Sequence, residues 1–304
     1  MLKKTIRIGT RDSELALWQA NTVKSKLENL GYNTQLVPVK SEGDLVLNKP
    51  LYEMGITGIF TKTLDVAMIN GTVDIAVHSM KDVPTLLPNG IVQTAVLERA
   101  SSKDILVVKG EIDFKKSGTI ATGSLRRQAQ WLHRYPNHNV VDLRGNVNTR
   151  LQKLNDNDWQ GAIFAKAGLE RINILPENFI ELDWMLPAPA QGAMVIVALE
   201  NDDFSKEASS KLNDSTSEIS THIEREFLRT LEGGCTAPIG AFAEIIGDEV
   251  LFKGCLFSLD GQTKLEIEKK VLTSKIKGFG KDCATFILNN GGAELMLSIK
   301  NQLK

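Results

Sequence analysis

TIATGSLRRQAQWLHRYPNHNVVDLRGNVNTR, residues 119–150, decides how the rest of the chain is read. A short β-like run at 119–121 meets Gly123 and Ser124. A helical pattern follows, then a strand at 140–143, then Gly145 and Asn146, then another helix. Arg126 and Arg127 fall in the first turn of the first helix. Arg144 ends the second strand, and Arg150 lies in the helix after it. The first turn of a helix favours acidic residues, because the dipole is positive there. Two arginines add like charge to like, which makes sense if an anion is held there by backbone N–H groups and guanidinium forks. The alternative is a solvated basic face. The spacing counts against it, since Arg126, Arg127 and Arg144 all sit at strand-to-helix corners, and open α/β sheets bind ligands at the carboxyl ends of their strands.

Bulk properties narrow the field. The chain has 304 residues, room for two or three domains. Hydrophobic content of 42% and charged content of 24% are those of a globular protein. Acidic residues number 37 against 36 basic, a net charge of −1, so no global attraction to polyanions is expected. Any anion site must be a local gathering of arginine. Three cysteines, Cys235, Cys255 and Cys283, are widely spaced, and no Cys/His cluster points to zinc. The four histidines lack protease-type metal spacing. No apolar run approaches the roughly 20 residues of a membrane span. The opening MLKKTIRIGTR enters a strand at once, with no signal-like region, so a reducing cytoplasm is the expected compartment.

Outward from residues 119–150, strands are expected at 5–9, 34–39, 73–77 and 91–97, with a helix after each of the first two and a proline turn after the third. Ser13 stands as the N-cap of SELALWQANTVKSKLENLG, and Gly31 as its C-terminal stop. Residues 40–58 read as a long loop of the kind that serves as a lid. A second unit has strands at 105–108, 119–121, 140–143 and 162–165, with Arg171 on the helix that follows the last. The strand at 194–199 follows the connector LPAPAQGAM, and its partners are expected back in the first unit. The fold class is therefore α/β: two doubly wound lobes, residues 1–98 with 194–214 and residues 99–193. Residues 215–304 form a small α+β C-terminal domain: a helix at 218–231, three antiparallel strands, and a final helix over 279–303 interrupted at Gly291-Gly292.

His78-Ser79-Met80-Lys81-Asp82-Val83-Pro84 follows the third strand. Lys81 and Asp82 thus stand at a strand's carboxyl end. A turn aspartate beside a surface lysine is the plain alternative. Cys255 and Cys283, in a strand and a helix, read as inert core thiols. Cys235 differs, because it follows Gly233-Gly234 on a loop, where a thiol can be presented. Its motif holds no histidine, so an attachment point is as good a reading as a nucleophile.

RIGTRDSELALWQA, VDIAVHSMKDVP, IATGSLRRQAQW, LRGNVNTRL, AKAGLERI, PAPAQGA and LEGGCTAPIGA, in that order, give the chain a close resemblance to the porphobilinogen deaminase (hydroxymethylbilane synthase) family over nearly its whole length. The resemblance implies lobes like those of periplasmic binding proteins. It implies a monomeric cytoplasmic transferase that joins four porphobilinogen molecules head to tail, releasing ammonia, in tetrapyrrole and haem biosynthesis. It implies a dipyrromethane cofactor on Cys235 through a thioether. Lys81, Asp82, Ser124, Arg126, Arg127, Arg144 and Gly145 would bind that cofactor; Arg11, Ser13, Arg150 and Arg171 would bind substrate; no metal is called for. Asp82 is the expected catalytic carboxylate, stabilising the cations that form as ammonia leaves and as the next ring attacks. Each ring brings two carboxylates, for which planar, permanently charged guanidinium groups are apt partners. Two positions depart from the family: Thr57 stands where a lid lysine is common, and Glu14 where proline is common. A two-lobed anion-binding protein without catalysis is the competing class; Cys235, the third domain and the absent signal region favour the enzyme.

Overall fold

The structure is a computed structural model that describes residues 4–40, 61–231 and 237–303. The described residues fall into two compact units, one drawn from 4–40, 61–100 and 192–219, the other from 101–191, 220–231 and 237–303. The expected lid at 40–58, Thr57 included, lies outside the described residues apart from Lys40, and so does Cys235.

In the first unit β1 (Thr5–Thr10) runs into α1 (Glu14–Asn29), then β2 (Asn33–Pro38), α2 (Lys62–Ile69), β3 (Ile75–Ser79) and β4 (Ile91–Val96). α1 starts where the Ser13 side chain accepts from the Ala16 N–H, with Glu14 in the first turn as the dipole prefers. Ala20, Val23 and Leu27 recur at helical spacing and pack on Ile6, Ile8, Ile75 and Val77 of the sheet. β1 is parallel to β2 and to β3. Between β3 and β4 lies β10 (Met194–Leu199), antiparallel to both, with Met194 opposite Ser79 and Val195 opposite Val96. The strand at 194–199 therefore does return to the first sheet, whose order is β2-β1-β3-β10-β4.

The second unit repeats that pattern. β5 (Asp104–Val108), β6 (Thr119–Ala121), β7 (Asn139–Val141), β8 (Gly161–Ala165) and β9 (Phe179–Glu181) assemble in the order β7-β6-β8-β5-β9. β6 is parallel to β7 and β8, and β5 is antiparallel to β8. Alternate residues serve opposite faces. Ile105, Val107, Ala121, Ala162 and Phe164 join one core, and Leu106, Ile120 and Ile163 join another with Trp131. Helices α3 (Leu125–Arg134), α4 (Val147–Asp156) and α5 (Lys166–Arg171) connect the strands. Two elements lie beyond those expected from the sequence, β9, which is too short to show a period, and α6 (Asp203–Ser210), capped by the Asp202 side chain. β7 also ends at Val141, so Arg144 stands in the loop beyond it.

α7 (Ser215–Thr230) begins earlier than the expected residue 218, because the Asp214 carboxylate accepts from the Ser217 N–H. The remaining sheet is the antiparallel meander β11 (Ile239–Ile246), β12 (Glu249–Phe257) and β13 (Lys264–Leu272). Gly247, at φ +64°, opens its first turn, a position where a two-residue hairpin favours glycine. α8 (Phe279–Ile287) and α9 (Ala293–Gln302) are separated where Gly291 takes φ +97°, the interruption read from Gly291-Gly292. Cys255 and Cys283 are buried free thiols, with burial raising their pKa values to about 12 and about 11.

Candidate active site

Two groups of candidate side chains take shape, one in each unit. In the first, Arg11 and Ser13 follow the carboxyl end of β1. Lys81 and Asp82 follow that of its parallel neighbour β3 in a single turn of 3₁₀ helix, Met80–Asp82. That turn is anchored: Met80 is buried, its N–H donates to Ala193 O at 3.0 Å, and Val83 N donates back to Met80 O. One residue before it, Ser79 Oγ accepts from Gln19 Nε2 of α1 at 2.8 Å. Lys81 and Asp82 themselves remain half-buried. His78 is buried, and its Nε2 has no hydrogen-bond partner among the described residues. Burial foremost, and then the Arg11 charge, pull its pKa down to about 4, so it is a neutral imidazole. The Ser13 hydroxyl is committed to capping α1.

In the second unit the candidates gather at the carboxyl ends of the three parallel strands. After β6, Ser124 caps α3 by accepting from the Arg127 N–H, which puts Arg126 and Arg127 in the first turn as expected. They do not form a solvated face. Arg126 is 4% exposed and Arg127 5%, and between them lies Asp104, the first residue of β5, at 0%. Asp104 Oδ1 accepts from Arg127 Nε at 3.0 Å and Nη2 at 2.8 Å, while Arg127 Nη1 donates to Ile163 O. Asp104 Oδ2 lies 2.7 Å from Arg126 Nη1, which donates to Leu186 O at 2.7 Å. Burial alone would raise the Asp104 pKa; the two guanidinium charges overcome it and hold the carboxyl far below the ordinary range. Asp104 was not singled out from the sequence. The one trace of it there is an acidic residue opening the apolar run DILVV, where strands disfavour aspartate.

After β7, Arg144 is buried too, at 5% exposure, and neither its Nε nor its Nη1 has a hydrogen-bond partner. Burial lowers its pKa, with Asp142 acting in the opposite sense. The backbone around it is tightly made. A Cβ on Gly123 would stand 2.6 Å from Leu143 O, so the β6 and β7 corners meet backbone to backbone. Gly145 takes φ +116°, and a side chain there would also strike Thr149. Asn146 caps α4 by accepting from Thr149 N at 2.9 Å, and Arg150 Nε donates to Gly145 O at 2.7 Å. After β8, Arg171 ends α5, its pKa lowered to about 10 by burial.

The charge balance of this group carries the chemical reading. Asp104 lies between two buried guanidinium groups, and among the described residues Arg126 Nε and Arg144 Nε and Nη1 are buried donors without an acceptor. An uncompensated buried charge costs several kcal/mol. Incoming carboxylates would supply both the charge and the acceptors. A group bearing several carboxylates therefore fits the residues present. Among the described residues no cluster of His, Cys, Asp or Glu could hold a metal ion, and no helix is long and apolar enough to cross a membrane.

Comparison with known proteins agrees with that chemistry. Residues 6–207 match the family model described as porphobilinogen deaminase, dipyromethane cofactor binding domain. Residues 219–289 match the one described as porphobilinogen deaminase, C-terminal domain. A porphobilinogen deaminase of Campylobacter jejuni subsp. jejuni (strain 81-176) is 39% identical, the match covering 97% of this chain and 99% of that one. One of Syntrophotalea carbinolica is 36% identical over 98% and 97%. Among solved structures, the probable amino-acid ABC transporter extracellular-binding protein ytmK from Bacillus subtilis is 12% identical, covering 69% of this chain and 90% of that one, at a TM-score of 0.41, too low to bear on the fold.

Proposed function

The chain belongs to the porphobilinogen deaminase family, and from that premise we propose which of its residues carry the activity. The activity itself is that of a transferase: porphobilinogen units are condensed to hydroxymethylbilane, in tetrapyrrole biosynthesis, by a protein with a dipyrromethane-binding domain. Cys235 carries the cofactor through a thioether. When bound, the dipyrromethane supplies the primer to which each new ring is joined. Arg126, Arg127 and Arg144 hold its carboxylates, assisted by Lys81 and by the corners that Ser124 and Gly145 shape. Arg11, Ser13, Arg150 and Arg171 receive the carboxylates of incoming porphobilinogen.

Asp82 is the catalytic residue in this reading. Its carboxylate faces the positive charge that develops as ammonia departs, accepts hydrogen bonds from pyrrole N–H groups, and takes part in proton transfer. What supports the assignment is its place: a half-buried carboxylate on a turn pinned through Met80, at the end of a central parallel strand. The domain reading is residues 1–98 with 194–214, 99–193, and 215–304, which gives each of the three sheets its own domain. The protein acts as a cytoplasmic monomer, a state suited to buried free thiols.

The observation that supports this reading is the set of buried guanidinium donors without a hydrogen-bond partner among the described residues, Nε and Nη1 of Arg144 and Nε of Arg126. The decisive experiment is intact-protein mass spectrometry. The purified protein should exceed its sequence mass by one dipyrromethane unit, and Cys235→Ser should remove that increment. Active protein at the bare sequence mass would refute the attachment.

A further inference from the structure

The clamp reading leaves open what aims the arginines. We propose that Asp104 is the positioning residue of the carboxylate clamp, fixing Arg127 through one oxygen and Arg126 through the other without itself meeting cofactor or substrate. The inference rests on the assignment of those arginines made above. Asp104 is fully buried, and its two oxygens divide the work. Oδ1 takes three donors: Arg127 Nε, Arg127 Nη2 and, at 2.9 Å, the Nε2 of Gln191. Oδ2 has only the Arg126 guanidinium beside it. Gln191 is itself fully buried, and the same amide nitrogen donates to Ser102 O at 2.8 Å. Its backbone lies between Ala190 at φ +62° and Gly192 at φ +87°. The connector thus holds the carboxylate, and the carboxylate holds the two guanidinium groups.

Charge balance and aim make opposite forecasts for Asp104→Asn. Removing the negative charge takes one carboxylate away from both guanidinium groups, which on charge alone would capture incoming carboxylates more strongly. On geometry the result reverses. An asparagine oxygen can keep the three donors of Oδ1, but its NH₂ group then faces Arg126 Nη1, donor against donor. Arg126 is therefore released from its seat while Arg127 stays. The asparagine variant should behave like loss of Arg126, not like a stronger anion trap.

The test follows cofactor acquisition in Asp104→Asn, Gln191→Leu and Arg126→Leu. Each purified protein is mixed with porphobilinogen, and the fraction gaining the dipyrromethane mass is timed as a function of substrate concentration. Thermal melting is recorded alongside. In Asp104→Asn the half-saturating concentration should rise about tenfold, the scale of one lost charge-assisted hydrogen bond, while the plateau rate changes little. Gln191→Leu, which keeps all three charges, should show a smaller rise in the same direction. A merely structural role would lower the plateau or the melting temperature and leave half-saturation alone. Unchanged or lowered half-saturation in folded Asp104→Asn overturns the proposal. If that variant does not fold, Gln191→Leu decides: a rise supports the proposal and native half-saturation overturns it. Normal acquisition in Arg126→Leu would sink the clamp assignment itself, whereas a defect there with native behaviour in the other two sinks only the role of Asp104.

Discussion

At the carboxyl end of β1 the chain turns through Arg11 into Ser13, which caps α1; at the carboxyl end of β6, its topological counterpart, it turns through Gly123 into Ser124, which caps α3. Both strands stand second in the order of five-stranded sheets with the same pattern of strand directions. Yet the charge left inside differs. In the first unit the Asp74 carboxylate is met by Arg7, itself partly exposed, with Nε–Oδ2 at 3.0 Å and Nη2–Oδ1 at 2.7 Å, and the buried His78 is neutral. In the second unit one aspartate serves two arginines, and Arg144 stands beside them with donors to spare. The shared topology places loops at equivalent points. In the proposed reading the side chains then divide the labour, with a carboxylate for chemistry in one unit and cations for holding anions in the other.

That division can be broken in four ways. Asp82→Asn should have the largest effect, a fall of about 10²–10⁴-fold in turnover with the fold and cofactor mass retained, the range typical of a lost general acid–base group. Near-native ammonia release would remove chemistry from the first unit.

The second test is acid response. Neutral His78, with a pKa of about 4 against an ordinary 6.5, contributes stability that is complete above 6.5 and is lost as pH falls towards 4. Buried Asp65 is shifted up from 3.8 to about 6, so its contribution is complete below 3.8 and is lost as pH rises through 6. The two slopes oppose each other in one unit. Asp65→Asn should therefore lose about 2 kcal/mol more than the native chain between pH 6 and pH 4, at roughly 1.4 kcal/mol per pK unit and with the Asp65 carboxyl already half protonated at pH 6. Urea midpoints at the two pH values measure it, and parallel curves would contradict the opposed pair.

Third, Arg144→Leu compared in a Cys235→Ser background, where both proteins lack the cofactor, should raise stability by about 1–4 kcal/mol, because a buried cation with unspent donors is removed. With Cys235 restored, the same change should impair cofactor acquisition. A destabilised Arg144→Leu would mean that the cation is satisfied within the protein. The smallest effects belong to the caps. Ser13→Ala and Ser124→Ala should each cost about 0.5–2 kcal/mol, read as similar drops in melting temperature. A wide inequality would show that the two corners differ in more than charge.

Much of this was legible in the residues. Glycine and serine at Gly123-Ser124 and Gly145-Asn146 mark strand-to-helix corners because only certain residues turn or cap there, and the arginines beside them could be placed at once. The return of 194–199 to the first sheet was also readable, since an apolar run after a Pro/Ala/Gly connector needs partners. Asp104 was not. It lies 23 residues before Arg127 and 87 before Gln191, and nothing local ties them. Only the pairing of β5 with β8 brings the aspartate beneath α3. β9 escaped for the converse reason: three residues, Phe179–Glu181, hold too little pattern to show a strand until β5 lies alongside.

The place of β10 between β3 and β4 has a consequence for how the molecule is made. Among the described residues β4 has no strand partner except β10, which leaves the ribosome about a hundred residues later. All five strands of the second sheet emerge in that interval. The second sheet can close while the first waits with a gap one strand wide, bordered by the open edges of β3 and β4. Contacts across so long a stretch of chain form slowly, and unpaired edges invite association with other chains. A nascent chain halted before Met194 should be the aggregation-prone species, and the arrival of six residues, Met194–Leu199, should end that hazard.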